Sequence, residues 1–183
     1  MSGIRGIVLL TRFDFIEDHY GHDRLKKFIA ELARDEHKDV LGQPIVISKE
    51  YSEALLKAID ERILSTFFDG QVQKFKELGE WNARQVVPRY FQVYMDEKNP
   101  GGFLSQLARL RGHLIGLGEM HVSAFTPNEY GIRISYGQPY SEPVKLNELG
   151  FLEEGCRLCA ARNLTTQEVE STDITVEYIL RWE

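Results

Sequence analysis

The sequence has only two cysteines, Cys156 and Cys159, and no uninterrupted apolar run long enough to cross a bilayer. Two thiols three residues apart cannot form a disulfide framework, and the opening Met-Ser-Gly-Ile-Arg-Gly lacks the layout of a signal peptide. These absences argue against a disulfide-stabilised secreted protein and against a membrane-spanning one. We therefore expect a reduced, cytoplasmic protein.

Basic charge is also scarce. The chain has 22 Lys and Arg residues against 28 Asp and Glu, a net charge of −6 and a pI near 5.5. Proteins that bind nucleic acids usually gather lysine and arginine on one face. The two basic clusters here, residues 24–27 and 109–111, are short and lie on amphipathic patterns, which is typical of solvated helix faces. We predict no nucleic-acid partner.

The common catalytic motifs are missing. There is no Gly-x-Ser-x-Gly elbow, no phosphate-binding loop, no Gly-x-Gly-x-x-Gly and no His-Glu-x-x-His. Adjacent carboxylates such as Glu153-Glu154 and Asp96-Glu97 are expected to face solvent. Because nothing assembles an acid, a base and an oxyanion site, we predict no catalytic residues and a non-enzymatic protein.

A metal site is not indicated either. A structural zinc site needs four ligands, usually from two Cys-x-x-Cys pairs, and Cys156 and Cys159 form the only pair. Both thiols lie on the apolar stripe of a predicted helix, where free cysteine behaves as a small buried hydrophobe. His113 and His121 adjoin apolar segments, and a neutral imidazole can ligate a metal. A lone histidine beside a core is more often hydrogen-bonded, so we predict no metal site.

The last forty residues are the most informative part of what is present, because the hydrophobic period changes within them. Apolar residues recur at spacings of three and four through a helix predicted over residues 144–163, and then alternate through Asp173–Trp182, the pattern of a half-buried strand. Three other strands are predicted. They are Met120–Phe125 and Gly131–Tyr136, joined by a hairpin-like loop over residues 126–130, and the weaker Leu164–Val169.

The N-terminal part contains helical patterns and no convincing strand before residue 100. Ser48 is the predicted N-cap of the best helix, which Asp69-Gly70 ends, and Pro88 predicts a break near Val87 in a later helix. Residues 35–44 form a predicted connection. The fold class is therefore α+β: a helical N-terminal two-thirds, then a four-stranded antiparallel sheet in the order strand, strand, helix, strand, strand. With no linker evident, we predict one domain over residues 1–183.

Two segments carry a family resemblance. Residues 4–29, IRGIVLLTRFDFIEDHYGHDRLKKFI, and residues 72–117, with a Phe-Leu helix start at Phe103, resemble the haem nitric-oxide/oxygen-binding (H-NOX) family. Four-vinyl-reductase domains and TRAPP tethering subunits share the C-terminal half of that fold. The resemblance covers essentially the whole chain. It implies a bacterial stand-alone sensory domain that acts in signalling and is not an enzyme.

The resemblance also identifies the positions at which haem would be bound. In haem-binding members the histidine ligand lies about two turns after the Phe of Phe-Leu, and counting from Phe103 leads to Leu110 or Arg111, with His113 slightly beyond. These members anchor the haem propionates with Tyr-x-Ser-x-Arg. The equivalent stretch, Ile134–Tyr140, has neither Ser nor Arg in the required places, so no fixed guanidinium fork is available. We therefore predict no cofactor, with haem bound through His113 as the alternative.

The function expected from these observations is binding of a small apolar ligand or of a signalling protein. The alternatives are a haem-based gas sensor and a TRAPP-like interaction subunit. Homodimerisation is expected through the sheet or a helical face, because Asp173–Trp182 is predicted to lie at a sheet edge. The predicted site joins polar tips to an apolar wall, although all of its members could instead be core residues. They are His113, Tyr136, Tyr90, Tyr94, His121, Leu107, Leu110 and Leu114.

Overall fold

The computed structural model describes residues 3–34 and 37–183, which divide into two compact units. Unit 1 runs to Val72 and includes His113–Gly116, and unit 2 comprises Gln73–Gly112 and Leu117–Glu183. Helices dominate the N-terminal two-thirds and a four-stranded antiparallel sheet follows, so the α+β prediction is confirmed. The single domain over residues 1–183 stays a prediction. Within the described residues, no helix has both the length and the apolar character needed to cross a membrane.

Unit 1 is mainly helical, and its first helix begins directly after a short antiparallel ladder of two two-residue strands. The ladder pairs Ile4 with Tyr51 and Arg5 with Glu50. It shows that the expectation of no strand before residue 100 was wrong in this detail, since two-residue strands are too short for alternation to reveal them. The elements are β1 (Ile4–Arg5), α1 (Gly6–Tyr20), α2 (His22–Leu32), α3 (Lys38–Leu41), β2 (Glu50–Tyr51) and α4 (Glu53–Thr66).

The same ladder explains where α4 begins. Ser52, not Ser48, is its N-cap, and the Ser52 side chain accepts a hydrogen bond from the Leu55 N–H at 3.2 Å. Because Glu50 and Tyr51 are held extended against β1, the helix cannot begin before Glu53. The predicted connection over residues 35–44 contains α3, and its first two residues lie outside the described ranges.

Unit 2 pairs long helices with the sheet. Its sheet has the order β3-β4-β6-β5, all antiparallel, and its buried face is formed by residues such as Ile134, Val176 and Leu180. The elements are α5 (Lys74–Tyr90), α6 (Gln92–Asp96), α7 (Pro100–Leu114), β3 (Glu119–Thr126), β4 (Glu129–Ser135), α8 (Glu142–Leu158), β5 (Thr165–Ser171) and β6 (Thr175–Arg181), and the last two residues of α7 belong to unit 1.

The terminal strand β6 is an interior strand, so its predicted position at the sheet edge was wrong. It lies between β4 and β5, where Ile179 pairs with Gly131 on one side and Gln167 on the other. The edge strands are β3 and β5. The sequence order of strands does not fix their spatial order, and the weakly patterned β5 covers the edge that β6 would otherwise expose.

Two helix boundaries in unit 2 also differ from the predictions. Helix α5 continues through Pro88 and ends at Tyr90, because the missing proline N–H affects only one hydrogen bond of the last turn. Helix α8 ends at Leu158, before the predicted residue 163. The backbone of Ala160 has φ of 74°, a left-handed conformation that cannot continue a right-handed helix.

Helices α5 and α8 pack closely through glycines. A Cβ atom at Gly79 would overlap the Asn147 carbonyl oxygen, and one at Gly150 would overlap the Lys76 carbonyl oxygen. Only glycine allows the two backbones to approach this far. This crossing fixes α8, and with it Glu148, within unit 2.

Candidate functional site

The most unusual buried group of unit 2 is the guanidinium of Arg111. Phe103, Leu107 and Arg111 follow one another at intervals of four along α7, so all three lie on the same buried stripe. Arg111 is only 1% exposed. Arg111 is not among the site residues predicted from the sequence, although its spacing from Phe103 and Leu107 is the signal that could have revealed it.

Helix α8 and the loop after α7 supply the hydrogen-bonding and ion-pair partners of Arg111. Its NH1 forms an ion pair with Glu148 Oε1 on α8, and its NH2 donates to Glu148 Oε2 at 3.2 Å. Its Nε donates to the Leu117 carbonyl at 2.9 Å. The planar fork of arginine matches a carboxylate in this way, and charge-assisted hydrogen bonds of this kind are strong.

Tyr136, the residue directly after β4, completes the cluster. Its hydroxyl donates to Glu148 Oε2 at 2.6 Å, and the Arg111 guanidinium lies 5.6 Å from the centre of its ring. Glu148 therefore accepts from both Arg111 and Tyr136. We call Arg111, Glu148 and Tyr136 the arginine cluster. It links α7 and α8 to the end of β4.

Burial sets the protonation of the cluster. It lowers the pKa of Arg111 to about 10, so the guanidinium remains charged near neutral pH. Burial also raises the pKa of Tyr136, with the nearby Arg111 charge opposing it, so the phenol keeps the proton it donates. The cluster is therefore an ion pair with a neutral phenol as second donor.

The residues predicted as the ligand site have varied environments. Tyr136 and Leu107 are buried in unit 2, whereas Tyr90 is 53% exposed and His121 is exposed beside Glu119 at 3.7 Å. Tyr94 and Leu110 in unit 2, and Leu114 in unit 1, are half-buried, and His113 in unit 1 is exposed. Only Tyr136 among them belongs to the arginine cluster. The remaining site assignment stays a prediction.

Cys156 and Cys159 are both fully buried and unpaired by any disulfide, the environment expected of core thiols. Cys159 lies directly after α8 and not inside it. Burial raises the pKa of Cys156, and it raises the pKa of Cys159 to about 11, so neither is an activated thiolate. Within residues 3–34 and 37–183, no group of three or more His, Cys, Asp or Glu side chains could hold a metal ion.

The residues that would contact haem in the resembling family do not fit that group here. Of the two positions counted from Phe103, Leu110 is apolar and Arg111 is engaged by Glu148. Aligning Tyr136 with the motif tyrosine puts Gln138 and Tyr140 at the Ser and Arg positions. The Tyr136 hydroxyl is itself occupied by Glu148. Neither an axial imidazole nor a propionate fork is supplied at these positions.

No protein-family model and no curated protein matches the chain, but solved structures do. An oxygen complex of an oxygen-binding H-NOX domain related to soluble guanylate cyclases has a TM-score of 0.74 at 12% identity, covering 98% of this chain and 95% of that chain. An H-NOX variant from T. tengcongensis has a TM-score of 0.74 at 13% identity, with coverage of 98% and 97%. An Fe(II) unliganded H-NOX variant from K. algicida has a TM-score of 0.72 at 13% identity, with coverage of 98% and 96%. The chain therefore has the H-NOX fold.

Proposed function

We propose that this chain is a non-enzymatic sensory or adaptor domain that binds a small apolar ligand or a signalling protein. The observation that supports the proposal is the match of nearly the whole chain to H-NOX domains, one of which is described as oxygen-binding. Fold alone does not define function, so the residues of the site matter as well. Among the described residues, the buried side chains of Arg12, Asp60 and Arg111 are held in ion pairs, and no catalytic set is assembled.

A bound molecule would be held by both apolar and polar groups. Leu107 and Tyr136 are the buried members of the predicted site, and Tyr136 joins an aromatic body to a hydroxyl. We propose that Leu107 contributes to the apolar wall and that the Tyr136 hydroxyl oxygen, whose proton is donated to Glu148, accepts a hydrogen bond from a polar group of the ligand. The exposed His113, Tyr90 and His121 and the half-buried Tyr94 remain proposed contacts for an incoming ligand or partner.

Native mass spectrometry of the purified full-length chain tests ligand binding. A stoichiometric lipid or metabolite that is lost on denaturation is expected if the domain binds a small molecule. Leu107→Ala should lower the retained fraction, and Gly112→Ala, at an exposed position of the same helix with no neighbouring atom within 4 Å of an added Cβ, is the matched control. An empty protein would contradict the small-molecule proposal and favour a TRAPP-like interaction subunit.

The second candidate is a haem-based gas sensor with His113 as the iron ligand. It is favoured by the likeness to an Fe(II) unliganded H-NOX protein and to an oxygen complex. An absorption spectrum of the purified protein after haemin supplementation decides between the two. A Soret band that disappears in His113→Ala and persists in His121→Ala would support the gas sensor, and a colourless protein would contradict it.

Homodimerisation stays part of the proposal, with the sheet edges β3 and β5 as the available strands. Exposed edges offer unpaired backbone groups to a second chain. Sedimentation equilibrium at high protein concentration tests it. A monomer throughout the concentration range would contradict a homodimer.

A further inference from the structure

We propose that the arginine cluster is an internal replacement for haem contacts, so that unit 2 is complete without a prosthetic group. In this reading one carboxylate, Glu148, joins the residue at the iron-ligand position to the residue at the propionate-anchor position. The inference goes beyond the proposed function, because it says how the fold dispenses with haem and not what the domain senses.

Arg111 on α7 takes the place of an iron ligand. Arg111 lies eight residues, slightly more than two turns, after Phe103, and it continues the buried stripe of Phe103 and Leu107. It therefore occupies the place on the helix that the resemblance assigns to an iron ligand. Arginine is always protonated near neutral pH and has no lone pair to donate to iron.

His113 does not substitute for Arg111. Two residues along a helix correspond to a rotation of about 200° around its axis, so the two side chains leave opposite sides of α7. Their burial agrees, since Arg111 is buried and His113 is exposed. An imidazole at residue 113 cannot take the position that Arg111 holds.

Tyr136 and Glu148 form the second part of the cluster. The phenol that would meet a propionate donates instead to Glu148 at 2.6 Å, and the same carboxylate holds the Arg111 guanidinium. A propionate is a carboxylate, so Glu148 supplies from the protein the kind of group that a haem would bring. The charge-complementary partner is thus internal, and both Arg111 and Tyr136 already donate to it.

Glu148→Gln is the first test. The change keeps the shape of the side chain and removes the charge opposite a buried guanidinium. We expect the melting temperature to fall by about 10 °C, because leaving one member of a buried ion pair unpaired is strongly destabilising. Glu168→Gln is the matched control, since Glu168 pairs with Lys145 at 2.9 Å at an exposed site of the same unit, and it should shift the melting temperature by less than about 2 °C.

Arg111→Met combined with Glu148→Met keeps the test informative if the single variant fails to fold. Replacing both members of a buried pair by apolar residues is often nearly neutral, so the double variant should recover most of the loss caused by Glu148→Gln. A double variant that is less stable than Glu148→Gln would contradict a self-contained cluster. So would equal effects of Glu148→Gln and Glu168→Gln.

Haemin titration gives a measurement that does not depend on how much the arginine cluster stabilises the fold. One equivalent of haemin should leave the melting temperature of the wild-type chain unchanged and should give the broad absorption of unligated haemin. A sharp, stoichiometric Soret band together with a raised melting temperature would overturn the inference. These outcomes are distinct from the mass spectrometry result, because a domain without haem can still retain, or lack, another ligand.

Discussion

Within residues 3–34 and 37–183, each unit contains a fully buried arginine, and the two arginines are paired differently. In unit 1, Arg12 on α1 meets Asp60 on α4 through Nε at 2.8 Å and NH2 at 3.2 Å, and its NH1 donates to the Val8 carbonyl of its own helix at 3.1 Å. This is a bidentate pair between two helices. In unit 2, Arg111 shares the carboxylate of Glu148 with a tyrosine and also reaches a loop carbonyl.

The difference shows what each arrangement can do. Both arginines meet a carboxylate through two nitrogens, but the Arg12–Asp60 pair joins two helices, α1 and α4. A shared carboxylate makes three elements depend on one side chain. Buried ionic groups cost free energy to desolvate, and networks of this kind are stable only while every member is satisfied. The Arg12–Asp60 pair therefore joins two helices, whereas the arginine cluster joins α7, α8 and the end of β4.

The largest expected effect comes from breaking the pair in unit 1. Asp60→Asn leaves the Arg12 guanidinium buried without its counter-charge, and we expect a loss of about 4 kcal/mol in the free energy of unfolding. Chemical denaturation measures it. Glu61→Gln, on the same helix at an exposed position beside Lys57, is the control and should change stability by less than about 0.5 kcal/mol. Equal losses in Asp60→Asn and Glu61→Gln would contradict a stabilising role of Asp60 as the counter-charge of Arg12.

The next effect tests whether the arginine cluster depends on the α5–α8 crossing. A Cβ atom in Gly150→Ala would overlap the Lys76 carbonyl oxygen, so α8 must shift together with Glu148. We expect a loss of about 3 kcal/mol, the cost of overpacking against backbone atoms.

Gly112→Ala is the matched control for this variant. An added Cβ there meets no atom within 4 Å, and the position is helical and exposed. It should be neutral or stabilising by up to about 1 kcal/mol, because alanine favours helix over glycine. A Gly150→Ala protein as stable as the wild type would show that α8 can move without strain, which would contradict a fixed Glu148.

A smaller loss is expected from Tyr136→Phe. The variant removes one donor from Glu148 and leaves the Arg111 pair in place, so we expect a loss of about 1.5 kcal/mol, typical of a hydrogen bond to a charged group. Tyr140→Phe, whose hydroxyl meets Ser171 at an exposed site at 2.9 Å, should lose less than about 0.5 kcal/mol. If Tyr140→Phe lost as much as Tyr136→Phe, Glu148 would not be a shared acceptor.

The sequence predicts the fold class well because the signals for it are local. Alternation from residue 173 to 182 identified β6, and a hairpin-like loop separated β3 from β4. The position of β6 between β4 and β5 was missed, because strand order depends on pairing between distant segments. Ser52 was missed as the cap of α4 for a related reason: the distant β1 holds the chain extended up to Tyr51.

The arginine cluster was predicted only in part, and the reason is chemical. Tyr136 was recognised as a polar tip beside an apolar wall, and it is buried in unit 2. Arg111 and Glu148 are of residue types that are almost never fully buried unless paired, so each looks like a surface residue when it is considered alone. Only their meeting in space makes both acceptable in a core, and a single sequence does not record that meeting.

The smallest expected effect is a pH dependence of the stability that arises from Tyr136. Burial raises the pKa of the Tyr136 phenol above the ordinary value of 10.0. As the pH rises above about 10, the unfolded chain loses this proton while the folded chain keeps it, so the folded state binds more protons and stability falls. Below that pH both states are protonated, and this contribution is constant.

Urea unfolding between pH 8 and pH 11 measures this dependence, and the comparison with Tyr136→Phe separates it from other groups that titrate in the same range. The variant lacks the phenol, so its stability should fall less steeply above about pH 10 than that of the wild type. Tyr90→Phe, at an exposed position, is the control and should keep the wild-type slope. Parallel curves for the wild type and Tyr136→Phe would mean that the folded chain gives up the Tyr136 proton as readily as the unfolded chain does. The phenol would then not be held as the donor to Glu148, and the contrast between the pair in unit 1 and the three-element cluster in unit 2 would be lost.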